Sequence, residues 1–161
     1  MKPKLITHII GRTLAITLDV PDISDKVLAK VDTGAYLGAL WASDIEEEDN
    51  ELSFKLFGPQ SRYFSDQVYK TTEYYKTVVE NSFGHSEQRY VIKLGIKPSL
   101  YNVDFTNVRF SLCDRSMKRY PILLGRNYIR GRFLVDVRLN DEDRVVVDEE
   151  QSAQKIDEEE I

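Results

Sequence analysis

Asp32-Thr33-Gly34-Ala35 sets a single carboxylate on a tight turn straight after the apolar run Val27-Leu28-Ala29-Lys30-Val31, and a second apolar run, Tyr36 to Trp41, follows it. Glycine lets a backbone bend sharply with its N–H groups exposed, and a threonine hydroxyl can lock such a turn from beside the acid. A carboxylate held that firmly can take a proton from water and make it a nucleophile. The chain has one Asp-Thr-Gly, so a two-carboxylate mechanism must draw its second acid from another copy of the chain. Metal-assisted hydrolysis is the competing chemistry. It needs about three protein ligands in recognisable spacing, whereas this sequence has two histidines, His8 and His85, far apart and outside any His-Glu-x-x-His. No Gly-rich loop ends in Lys-Ser/Thr either. Neither a metal nor another cofactor is expected.

The elements that must position the acid read almost entirely as strands. Leu5 to Ile10 and Thr13 to Val20 are β-type runs parted by Gly11, and Pro21-Asp22 ends the second. Glu51 to Phe57 alternates polar and apolar, the pattern of a half-buried strand, before Gly58-Pro59 breaks it. Gln67 to Glu80 is rich in Val, Thr and Tyr and reads as one strand. Asn81-Ser82-Phe83-Gly84-His85 reads as a hairpin tip leading into Arg89 to Ile96. Val103 to Phe105 and Val108 to Leu112 form a strand interrupted near Thr106-Asn107. Ile122-Leu123-Leu124-Gly125 ends a strand, Arg126 to Arg130 is helical, Phe133 to Val137 is strand, and Arg144 to Val147 is a last one. Short strands at this spacing predict an all-β domain, closed or sandwich-like.

Two segments together carry a resemblance. Lys30-Val31-Asp32-Thr33-Gly34-Ala35 with Ala39-Leu40, and Pro121-Ile122-Leu123-Leu124-Gly125-Arg126 with Arg130 to Asp136, resemble the retropepsin-like aspartic peptidases. Within them the chain is similar to the family labelled ATP-dependent zinc proteases and associated with RimK-type glutamate ligases, over roughly residues 12 to 138. The resemblance implies a single-lobed, closed β-barrel of the acid-protease type, with one short helix after Gly125. It implies a cytoplasmic aspartic peptidase in which Asp32, Thr33 and Gly34 of two subunits meet, the aspartates holding one proton between them. Thr33 would brace the two turns across the dimer axis. Candidate substrate contacts are Ala35 beside the acid, Gly84, His85, Glu87 and Arg89 in a hairpin flap, and Arg126 and Arg130 in a basic stretch. The association with glutamate ligases implies a glutamate-rich or glutamylated protein substrate. The family usually has a Ser and a His where this chain has Gly38 and Trp41. Trp41 is bulky enough to fill a groove. The competing function is therefore a non-catalytic, dimerising binding module that acts with a ligase or ribosomal partner.

Composition agrees with one domain. A chain of 161 residues holds a real core but not two lobes. The lone Cys113 excludes an internal disulfide and fits a reducing compartment, and no apolar run has the length of a secretory signal or a membrane span. Residues 141–161 hold ten acids and two bases, a local net of −8, which leaves the first 140 residues at +3 within a net charge of −5. The division is a folded domain over 1–148 and an acidic, disordered tail over 149–161. Arg115, Lys118, Arg119, Arg126, Arg130 and Arg132 form a stretch with no acid among them. It is either a solvated face or a surface that steers an acidic peptide; nucleic acid is not an expected partner. The terminal Asp157-Glu158-Glu159-Glu160 is either a solubilising end or a pseudosubstrate for the groove.

Overall fold

A computed structural model describes residues 8–141. The strands are β1 (His8–Ile10), β2 (Thr13–Leu18), β3 (Val27–Val31), β4 (Gly38–Glu48), β5 (Glu51–Leu56), β6 (Val68–Thr71), β7 (Tyr75–Glu80), β8 (Ser86–Pro98), β9 (Thr106–Cys113) and β10 (Ile122–Leu124). One helix, α1 (Arg126–Ile129), follows Gly125, and β11 (Phe133–Val135) comes after it.

Six strands close on themselves in the order β10-β3-β2-β8-β9-β4, with β4 pairing back onto β10. The fold is an all-β, retropepsin-like closed barrel with a single short helix. Its interior is filled by alternate residues of these strands: Leu14 and Ile16, Val27 and Ala29, Leu40, Ile92 and Ile96, Phe110 and Leu112, Ile122 and Leu124, all buried. Each such side chain contributes roughly 1.5–3 kcal/mol by leaving water. A closed barrel also leaves no unpaired edge at its seam. Here the seam is β10, three residues long, parallel to β3 (Leu124 beside Val31) and antiparallel to β4 (Ile122 beside Leu40). The chain on either side of the Asp32 turn is thus pinned to the same short strand.

Two arms leave the barrel. After Trp41, β4 runs on to Glu48 and pairs with β5, which carries β6. The second arm is the β7–β8 hairpin, paired from Tyr75 with Val91 to Glu80 with Ser86. Separately, β1 and β11 make a parallel two-stranded sheet. Several expectations are corrected. Gln67 to Glu80 is two strands, because the chain turns at Thr72–Tyr74, where the Glu73 amide donates to Thr71 Oγ1 at 3.0 Å. Val103 to Phe105 lies outside any strand, and Thr106-Asn107, read as an interruption, opens β9. β4 extends well beyond Trp41 through an acidic segment, with a register shift between Ser43 and Glu46. The first strand covers His8–Ile10; residues 5–7, the strand expected at 144–147 and the acidic tail lie outside the described residues.

Candidate active site

The carboxylate of Asp32 stands where β3 ends. The Asp32 amide donates to Leu124 O at 2.9 Å, and the Gly34 amide donates to the carboxylate Oδ1 at 2.9 Å. Gly34 owes its place to clearance rather than to backbone freedom. Its φ is not positive, and a Cβ there would press on Asp32 Oδ1 at 3.2 Å. The Thr33 hydroxyl, expected to lock the turn, makes no hydrogen bond among the described residues. The lock is the following strand and helix. Arg126 N donates to Ala35 O at 2.8 Å, Asn127 N to Tyr36 O at 2.9 Å, and the Arg126 guanidinium Nη1 to Thr33 O at 3.1 Å.

Glycine makes this approach possible. A Cβ on Gly125 would sit 2.6 Å from Tyr36 O and 2.9 Å from Gly38 N, and one on Gly38 would sit 2.6 Å from Leu123 O. Three segments therefore pack backbone against backbone behind the acid. Trp41 does not fill the groove. It is buried, edge-on to Phe57 at 6.4 Å, and lies against Gly58, whose Cβ would meet its ring at 2.7 Å.

In front of the turn lies a groove of about 540 Å³. Asp32, Gly34, Ala35, Tyr36 and Leu37 form one wall, and Val79, Glu80 and Ser82 of the β7–β8 hairpin face them. Ala39, Ser111 and Leu123 of the barrel strands, Arg89 of β8 and Arg115 just after β9 complete the lining. The hairpin tip is a side-chain-capped turn: Asn81 Oδ1 accepts the amides of Phe83 and His85, each at 3.0 Å, and Gly84 adopts φ +80°. A β-carbon is disfavoured at that φ, which gives the tip its glycine.

The structure brings together Asp32, Gly34, Ala35 and Arg89 of the residues singled out from sequence. Gly84 and His85 sit at the tip, outside the groove lining, and Glu87 is tied to Arg89 at 3.1 Å. Arg126 braces the turn from behind and packs over Tyr36, with 6.0 Å from guanidinium to ring. Arg130 ends α1 on the exposed surface, away from the groove. Sequence reading missed Glu80, Ser82, Ser111 and Leu123 as lining residues, and placed Arg115 only in a general basic stretch. His8 stacks on Tyr101 at 4.2 Å, far in sequence from the flap-tip His85, and no group of three or more His, Cys, Asp or Glu among the described residues could hold a metal ion. The described residues do not fit a zinc centre. No helix among the described residues is long and apolar enough to cross a membrane.

Comparison with known proteins agrees with this architecture. No curated protein matches the chain. A solved structure of a Legionella pneumophila protein (subspecies pneumophila, strain Philadelphia 1) of unknown function is 26% identical, with a TM-score of 0.55, over 83% of this chain and 95% of that one. Residues 9–144 match the model of the RimB-like family, described as the retropepsin-like aspartic endopeptidase RimB. With that match spanning the Asp32 turn, the β10 seam and the hairpin, the chain belongs to the RimB-like family of retropepsin-like proteins.

Proposed function

We propose that the protein is an aspartic endopeptidase that works as a homodimer, each subunit supplying one Asp32. The observation that carries this reading is the placement of Asp32, pinned by backbone to β10 and facing a groove roofed by a hairpin. Thr33 and Gly34 lie exposed at the same end, so the turn presents an open face to a second copy. A two-fold axis through that face makes one motif per chain sufficient. The Thr33 hydroxyl, without a partner among the described residues, then has one across the axis. The two-stranded β1–β11 sheet adds two exposed apolar side chains, Ile9 and Leu134, of the kind a second copy covers.

The two aspartates share one proton, because two carboxylates so close do not both ionise cheaply. The ionised one takes a proton from water as the water oxygen bonds to the scissile carbonyl carbon. The protonated one gives its proton to the carbonyl oxygen, leaving a tetrahedral gem-diol. Collapse of that intermediate breaks the C–N bond as the leaving amine takes the proton that the first aspartate gained from water. The other aspartate takes one from a gem-diol hydroxyl. The Gly34 amide holds Oδ1 in place throughout. Closing the hairpin excludes bulk water from the reaction. Acidic or glutamylated peptides are the substrate class, supported by the family's association with glutamate ligases and by the arginines beside the groove.

Mass spectrometry of oligo-glutamate and mixed peptides after incubation with the protein tests the reading, with Asp32→Asn run alongside and with and without chelator. Chelator-resistant cleavage that Asp32→Asn abolishes, in a protein that still folds and dimerises, is the expected result. Full activity in Asp32→Asn removes the mechanism.

A further inference from the structure

We infer that Arg115 is the residue that selects an acidic side chain in the substrate groove, a reading that rests on the peptidase function proposed above. Arg115 follows β9, is half-buried and lines the groove. Its Nε donates to Tyr120 O at 2.9 Å, and its own carbonyl accepts the Lys118 amide at 2.9 Å. The guanidinium is therefore anchored by its inner nitrogen and by a side-chain contact with the Cys113 thiol, and its remaining N–H donors can receive a carboxylate.

Among the described residues no carboxylate takes that place. The neighbouring Asp114 is turned onto the Ser116 amide at 2.8 Å. Arg89, the other arginine of the groove, differs in this respect: Glu87 Oε2 accepts from its Nε and Nη2 at 3.3 and 3.1 Å. Burial pushes the Cys113 thiol up, while the charges of Arg89 and Arg115 and the Arg115 side-chain contact pull it down. An arginine half-removed from water, held rigid and lacking a counter-ion is a standing electrostatic cost that an incoming carboxylate relieves. Glu80 on the hairpin lines the same groove and repels an acidic side chain at its own position, whereas Arg89 of the same hairpin is already paired with Glu87.

The test uses end-blocked peptides that differ only in Glu against Gln at single positions, so that side-chain carboxylates alone are read. Wild type is compared with Arg115→Gln, Arg115→Lys and, as a neighbouring-charge control, Lys118→Gln. Arg115→Gln is expected to lower kcat/KM for the preferred Glu peptide by about ten- to a hundredfold, as for a lost charge-assisted hydrogen bond. Its effect on the Gln peptide is expected to be negligible. Arg115→Lys should recover part of the loss, and Lys118→Gln should have no effect. Equal loss on Glu and Gln peptides overturns the assignment, as does an undiminished Glu preference in Arg115→Gln. A binding arm separates this inference from the catalytic one: fluorescence anisotropy of a labelled oligo-glutamate peptide with Asp32→Asn and with Asp32→Asn/Arg115→Gln. Binding lost only in the double variant supports Arg115 even when no peptide is cleaved. Equal binding by both counts against it whatever the catalytic result.

Discussion

The two walls of the groove are held by different means. Behind Asp32, three backbone segments touch through glycines and exchange main-chain hydrogen bonds across β3, β10 and α1. The facing hairpin has exposed residues along both its faces and is held near its base by side chains: Glu47 of β4 accepts from the Tyr74 hydroxyl at 2.6 Å and pairs with Lys76 at 2.8 Å. The first wall has no slack, because a β-carbon has nowhere to go. The second can part from its neighbour by breaking polar contacts that water replaces at little cost. A catalytic carboxylate has to be positioned to a fraction of an ångström, whereas a substrate has to enter and leave. Rigidity and mobility are thus divided between backbone packing and surface side chains.

Gly125→Ala should break that division most severely. The new methyl would meet Tyr36 O, Leu37 C and Gly38 N, all backbone and all within 2.9 Å. Overpacking of this kind costs about 1–3 kcal/mol, and a domain of this size loses roughly 2–4 °C in Tm for each kcal/mol. Because the displaced atoms carry the Asp32 turn, the proposed peptidase activity should fall by more than the folded fraction does. Calorimetry and kinetics on the same preparation separate the two losses. An unchanged Tm would mean that the contact behind the acid is not as close as described.

That packing was legible in sequence only in part. Asp32-Thr33-Gly34 after an apolar run, and Leu124-Gly125 before a short helix, are local signals that turn chemistry and strand pattern report directly. The pairing of β10 between β3 and β4 is not local, since it joins residues some 90 positions apart. The resemblance implied a closed barrel but not this pairing. Trp41 was ambiguous for a related reason. An aromatic in an apolar run can face either side of a strand, and its burial against Phe57 depends on β4 leaving the barrel just beyond it. The split of Gln67 to Glu80 was hidden because Val, Thr and Tyr favour strand throughout, while the turn at Thr72–Tyr74 is made by a hydroxyl-to-amide bond that composition does not encode. Arg115 entered the groove from outside every motif. It was one charge in a run of six, and its place just after β9, lining the groove, singled it out.

On the hairpin wall, Asn81→Ala removes the acceptor that holds two amides of the tip. The tip is exposed and far from the core, so global stability should change by no more than about 0.5 kcal/mol. Hydrogen exchange at the Phe83 and His85 amides should accelerate, and KM should rise while Tm stays put. Unchanged exchange at both amides would show that the turn holds without its cap, and that the hairpin tip is stiffer than its exposure implies.

The smallest effect lies at the base of the hairpin. Lys76, and then the Tyr74 hydroxyl, hold the Glu47 carboxyl below the ordinary glutamate range; the same contacts raise Lys76 and push Tyr74 up to about 12. A carboxyl whose folded pKa is depressed adds its stabilisation above the unfolded pKa and loses it as pH falls through the folded one. The tether should therefore hold at neutral pH and weaken only in the acid range, below the pH at which an ordinary glutamate titrates. Lys76→Gln removes the larger cause and should move the Glu47 titration, followed by NMR of its side-chain carboxyl, back up toward the ordinary range. Exchange at the β7 amides should then rise at higher pH than in wild type. A Glu47 titration that Lys76→Gln leaves in place would show that the ion pair is not formed in solution, and the hairpin would rest on its β8 pairing alone.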